Sequence, residues 1–380
     1  MNYIKHALAL SITVALTACG GGGGSSAPAS SGTGSSIGTG TTGSGNTSSS
    51  SSNGSGSGSS PTPASYAYAS STGGILQYAI QSNGSLTTAS MPPVSAGASG
   101  IAFSIDPTGK YAYAVDGSNQ GAIHQYTIGV NGVLNPMSTP TVVAGSFPWG
   151  LVISPNGKYV YVGASDSSGV VLQYAIGATG ALTLIGTLSV SATSITIDPA
   201  GQHLYVTTSG TNASLSEYSI GTNGVLTTTP VKTIAIPSDD NGTLVIDPKG
   251  KYAYLSVCNG AVTTCTEYEY SIDSNGILTQ VGTTPIASSS TIAIDPTGKY
   301  VYLADFTSVA AYKIDSSGTL TLISKITQAD SPELITVDPT GKYVYVVGSK
   351  GITQYAIGSS GGLTLVSTSP VSGSKFLVLH

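Results

Sequence analysis

Residues 295–302 read Asp-Pro-Thr-Gly-Lys-Tyr-Val-Tyr, and variants of that phrase return at 106–113, 154–161, 198–205, 247–254 and 338–345. Asp or Ser at the first position, Pro at the second and Gly at the fourth suit a type I turn. The alternation that follows starts at Tyr111, Tyr159, His203, Tyr252, Tyr300 and Tyr343, and a further copy begins at Tyr66. An alternation of period two is a strand with two different faces. Successive starts lie 43 to 49 residues apart.

Each repeat continues in the same way. A strand ending in Tyr-x-Ile follows, at Tyr78, Tyr126, Tyr174, Tyr218, Tyr270, Tyr312 and Tyr355, and then a run opened by Leu86, Leu134, Leu182, Leu226, Leu278, Leu320 or Leu363. Asn-Gly at 83–84, 131–132, 223–224 and 275–276 suits a tight hairpin between these two strands. Four strands at this period are the signature of a propeller blade. The first repeat lacks its opening strand, and Phe376-Leu377-Val378-Leu379 is an opening strand with nothing after it. The expected fold is therefore all-β: a seven-bladed β-propeller of four-stranded blades over residues 64–380, its first blade closed by the C-terminal strand. Closure removes the sheet edges that an open array would expose.

Nearly all of the 22 tyrosines fall in the Tyr-x-Tyr pairs or the Tyr-x-Ile positions. In Tyr159-Val160-Tyr161-Val162 one face is aromatic and the other β-branched, as expected where both faces of a blade pack on neighbours. The tyrosines are thus read as packing, not as a ladder for ligand stacking. Burial on this scale also accounts for a charged content of only 8%.

The N-terminus is organised differently. Lys5 and His6 precede an apolar run at 7–16, too short to span a bilayer as a helix, followed by Leu16-Thr17-Ala18-Cys19. Residues 1–18 are read as a signal peptide, and Leu-x-Ala-Cys resembles the lipobox of bacterial lipoproteins. That resemblance implies acylation of Cys19, cleavage before it and attachment to the cell envelope, with Gly20 in place of Asp implying the outer membrane. The alternative is a plain secretory signal in which Cys19 is incidental. Residues 19–63 are almost wholly Gly, Ser, Thr, Ala and Asn, without charge or aromatic residue. Such a segment buries too little apolar surface to offset its ordering entropy, so it reads as a flexible linker.

The formal net charge is −5, and all 12 basic residues are lysines. Nucleic-acid binding needs a basic face to displace counterions, and this composition excludes it. Without Arg there is no planar fork for bidentate capture of phosphate or carboxylate. The expected partners are a membrane through the lipid anchor and a protein or glycan ligand, for a ring acting as a monomer.

Repeats such as 295–302, and Leu-Tyr-Val-Thr-Thr at 204–208, resemble YVTN-type surface propellers. They also resemble the lactonase family of seven-bladed propellers, whose best-known activity is 6-phosphogluconolactonase. The resemblance covers residues 64–380 and implies the fold; an activity needs its own evidence, because one fold hosts many functions.

In such a ring the Asp-Pro-x-Gly turns and Gly-x-Leu hairpins share one uniform face, and the remaining loops form a variable one. Binding residues concentrate where loops vary on a rigid scaffold. The variable loops hold Trp149, the single Trp, in Phe147-Pro148-Trp149-Gly150, with Asp239 and Asp240 before the fifth blade and Glu333 before the seventh. Asp116, Asp166 and Asp305 follow second strands. Together they make a mildly acidic mouth with one aromatic plate, suited to a cation, sugar or peptide; the competing reading is solvated loops. A lactonase needs a general base or a metal, and a group that holds the substrate anion. His124 lies in a strand, His203 replaces a packed tyrosine and His380 is terminal, so Glu333 is the catalytic candidate with the aspartates behind it. No Cys/His metal spacing and no cofactor motif is present. Cys258 and Cys265 flank a hairpin loop of the fifth blade and suit a disulfide in an oxidising compartment, with a redox pair as the alternative. A binding module, a lactone hydrolase and a spacer without a discrete ligand are the three readings the sequence leaves.

Overall fold

In the computed structural model each Asp-Pro-x-Gly turn is built by its first residue. Asp106 Oδ1 accepts the N–H groups of Lys110 (2.8 Å) and Tyr111 (2.6 Å), and Gly109 N–H donates to the Asp106 carbonyl at 2.9 Å. Asp247, Asp295 and Asp338 repeat this bonding. Where Ser154 stands instead, its hydroxyl accepts Tyr159 N–H and donates to Asn156, so two short side chains do the work of one carboxylate. The structure describes residues 65–380 apart from 72–73, 89–91, 98–99, 166–168, 238–241, 259–264, 287–290, 329–330 and 370–376. Residues 1–18, read above as a signal peptide, and 19–63, read as lipidated Cys19 and a linker, fall outside the described residues.

These turns join strands into seven four-stranded antiparallel sheets. The third blade is typical: Pro148–Ile153 innermost, then Tyr159–Ala164, Val170–Ile176 and Leu182–Ser189. The first blade takes its innermost strand, Leu377–Leu379, from the end of the chain; it pairs with Ser65–Ser71, setting Ala67 opposite Leu379 and Ala69 opposite Leu377. The Asn-Gly hairpins are three-residue loops with a glycine bulge, not two-residue turns. Gly84 has φ +79°, its N–H reaches the Gln81 carbonyl at 2.7 Å, and Gln81 N–H reaches Ser85. A two-residue type I′ turn needs positive φ at both central residues, and Asn83 does not supply it.

Two aromatic side chains per blade, and in the first three blades a glutamine as well, join each blade to the next. The second Tyr of every Tyr-x-Tyr pair is buried and donates its hydroxyl to the hairpin glycine of the following blade: Tyr113 to Gly180 (2.6 Å), Tyr205 to Gly276 (2.7 Å), and Tyr345 to Gly84 (2.6 Å), which closes the ring. The first Tyr lies over the same glycine; at Gly224 a Cβ would stand 2.2 Å from the Tyr159 ring, which is why the position is Gly. Gln77, Gln125 and Gln173 each accept the N–H of a leucine in the next outer strand (Leu134, Leu182 and Leu226, at 2.9, 2.7 and 2.8 Å). Between these polar clasps the interblade space is aliphatic and aromatic. The whole set lies toward the uniform face.

Candidate functional site

The opposite face carries the loops that enter each innermost strand and those that join the second and third strands. Counting back five residues from each turn residue gives the position where the chain reaches the mouth of the ring: Trp149 in the third blade, Thr193 in the fourth, Gly242 in the fifth and Glu333 in the seventh. Trp149 and Glu333 are thus equivalent positions on well-separated blades. Their backbones match as well. Each follows a buried proline, Pro148 or Pro332, which follows a residue of positive φ, Phe147 at 48° or Ser331 at 42°.

The two side chains have different surroundings. Trp149 is half-buried against the clusters that the third blade forms with the second and with the fourth, and its ring fills the space a Cβ on Gly163 would need. Its Nε1 is buried without a hydrogen-bond partner among the described residues. A buried indole N–H usually finds an acceptor, so this one marks a polar demand at the mouth. Glu333 is exposed, and its N–H is tied to the Val347 carbonyl at 2.8 Å, which fixes where the side chain leaves the loop.

Asp116 and Asp305 close the loops they begin. Asp305 Oδ1 accepts Thr307 N–H, and Oδ2 accepts Ser308 Oγ at 2.7 Å and Lys325 Nζ at 3.2 Å. Burial alone would raise this carboxyl; the hydrogen bonds from Ser308, Thr307 and Lys325 outweigh it and hold it below its ordinary range. Asp116 Oδ1 accepts Ser118 N–H at 3.2 Å, and its charge partly offsets the burial that lowers His124. Asp166, Asp239 and Asp240 lie outside the described residues. Cys258 and Cys265 form a disulfide across the second and third strands of the fifth blade, with Cα atoms 4.0 Å apart. No group of three His, Cys, Asp or Glu side chains suited to a metal occurs among the described residues.

Of the candidates, then, the structure pairs Trp149 and Glu333 by register and makes Asp116 and Asp305 part of the scaffold. Phe147, one register position above Pro148, was not singled out by sequence reasoning, although aligning the blades on their turns marks it.

No protein-family model matches the chain, and no curated protein matches its sequence. Among solved structures, a Lactobacillus plantarum protein superposes with a TM-score of 0.70 at 21% identity, over 83% of this chain and 99% of its own. A candidate 6-phosphogluconolactonase from Bacteroides fragilis gives 0.70 at 21% identity, over 84% and 99%. One from Bacteroides uniformis gives 0.69 at 19%, over 83% and 99%. At these identities the likeness is one of fold.

Proposed function

We propose that this chain is a cell-envelope lipoprotein whose propeller binds a protein or a glycan through the variable face, with Trp149 and Glu333 at the mouth. The observation that carries the reading is the division of labour between the faces. On the uniform face, turn carboxylates, tyrosine hydroxyls and glutamine amides are consumed in building and closing the ring. On the variable face Trp149 and Glu333 occupy one register without a shared structural task, and variation on a rigid frame is the usual form of a recognition surface. The tether and acylated Cys19 would hold that surface away from the membrane, since two or more buried acyl chains anchor stably.

Glycan-array and pull-down measurements with the purified protein test the reading. A ligand retained equally by a Trp149→Ser/Glu333→Gln double variant of unchanged fold would exclude this site. The anchor is tested separately by metabolic labelling with a fatty acid: Cys19→Ala should abolish the label and release the protein from membranes.

A second reading, a lactone hydrolase, is favoured by the two fold neighbours that are candidate 6-phosphogluconolactonases. It requires lactone turnover by the pure protein that falls at least about tenfold in Glu333→Gln. Absence of turnover across a lactone panel excludes it.

A further inference from the structure

Aligned on the turn residues, the position seven residues earlier holds a small or polar residue in five of the six repeats that have a turn: Ser99, Ser191, Asp240, Ser288 and Ser331. The third blade alone carries a large apolar residue, Phe147. Its backbone is in the left-handed region at φ 48°, as is that of Ser331 at 42° though not that of Ser191, so the third and seventh blades share a conformation that does not depend on an aromatic residue. A bulky side chain adopts that region only at a cost, and such outliers gather at functional sites. The Phe147 side chain recovers little by packing, because the residue is 52% exposed.

The backbone that carries the ring is nevertheless held in place. Phe147 N–H donates to the Ser118 carbonyl at 3.0 Å, while Ser165 N–H donates to the carbonyls of Ser146 (3.0 Å) and Phe147 (3.3 Å). The loop is therefore fixed from both sides, by the hairpin loops of the second and third blades. Folding accounts for the buried Pro148 and the packed Trp149 but supplies no reason for an aromatic ring at 147.

The surroundings indicate what such a ring would meet. Asn119 and Gln120 directly follow Ser118 and are exposed. A side-chain amide offers donor and acceptor together, the pairing a hydroxyl requires. No lysine occurs in the loops 117–121 and 144–147, so a ligand gains nothing there from negative charge. A flat apolar platform whose backbone is bonded to a loop carrying exposed amides complements a neutral sugar, which has a C–H face and a rim of hydroxyls. We propose that Phe147 is the platform on which one pyranose ring of a neutral glycan stacks, with Asn119 and Gln120 bonding its hydroxyls. The proposal rests on the variable face being the binding face and narrows its ligand to carbohydrate.

The test is an array of neutral gluco-, galacto- and manno-oligosaccharides probed with the intact purified protein, followed by calorimetric titration of the tightest binder. Phe147→Ser installs the residue of the sister blades and should keep or raise Tm. It and Phe147→Ala should weaken binding at least tenfold, while Phe147→Trp should preserve it. Binding of none of these sugars, or equal binding by Phe147→Ser, overturns the proposal. If the Trp149/Glu333 double variant loses the glycan and Phe147→Ser does not, the proposal fails while the reading of the face stands; if neither variant changes binding, both fail.

Discussion

The Ser256 hydroxyl donates to Oε2 of Glu267 at 2.5 Å, and Glu267 has no exposed surface, while its Oε1 is buried without a hydrogen-bond partner among the described residues. The matching positions of the other blades hold Ile75, Ile123, Val171, Leu215, Val309 and Ile352. A carboxyl thus stands where six blades place an aliphatic side chain, in the wall between the fifth and sixth blades.

Burial pushes the Glu267 carboxyl up to about 8, with Glu269 adding to the rise and the Ser256 hydrogen bond opposing it. The folded protein therefore keeps a proton that the unfolded chain releases near its ordinary value of 4.5. Between about 4.5 and about 8 the native state binds more protons, so stability falls as pH rises through that window. Glu267→Ile should remove this slope, and its advantage over wild type should grow by a few kcal/mol between pH 5 and pH 8. Urea unfolding at the two pH values measures it; parallel changes in variant and wild type would contradict the assignment.

Glu217 occupies the clasp position that Gln77, Gln125 and Gln173 fill in three earlier blades. Both of its carboxylate oxygens are buried without a hydrogen bond among the described residues, with His203 Nε2 3.7 Å from Oε1. Burial raises this carboxyl and His203 opposes the rise. Glu217→Gln should restore the clasp to Leu278 and stabilise the ring by about 1 kcal/mol. The gain should be larger at pH 8 than at pH 5, because the amide does not titrate. Hydrogen exchange reads the same event locally: the Leu278 amide should become more protected.

Gly163 and Trp149 are one packing unit. A Cβ at 163 would stand 2.1 Å from Cζ2 of the indole, so Gly163→Ala must displace the ring, at a cost of about 1–3 kcal/mol. In a Trp149→Ser background the same change should cost much less. A double-mutant cycle by denaturant unfolding should show coupling of about 1 kcal/mol or more, and additive effects would separate the two residues.

The tyrosines that join the blades, Tyr113, Tyr161 and Tyr302 among them, are held well above the ordinary tyrosine range, chiefly by burial. Alkaline absorbance titration should show these hydroxyls ionising only as the ring unfolds. Tyr113→Phe, which leaves the Gly180 carbonyl without its donor, should cost about 1–3 kcal/mol.

Much of the architecture was legible along the chain because it is local and repeated. The turn at 295–299 needs no partner beyond its own residues, and the same turn at regular spacing sets strand number and blade number. Even the closure by Leu377–Leu379 could be read as a strand without a successor completing a blade without an opener. The Asn-Gly pairs were a partial exception: the dipeptide marks a hairpin, but the bulged loop around Gly84 is chosen by the Tyr343 ring that covers it from the preceding blade.

The variable face was legible only as a region. An acidic side chain in a loop looks the same in sequence whether it waits for a ligand or, like Asp305, is already bonded to Ser308 and to Lys325, twenty residues away along the chain. Sequence by itself determined the repeat, the turn chemistry and the blade count, since each rests on residues a few positions apart. Tertiary structure decided that Trp149 leans onto Gly163, that Phe147 and Ser331 share a left-handed backbone on separate blades, and that Phe147 stands exposed on a strained, pinned loop. Those relations depend on which loops the closed ring brings together, and no local rule of strand or turn specifies them.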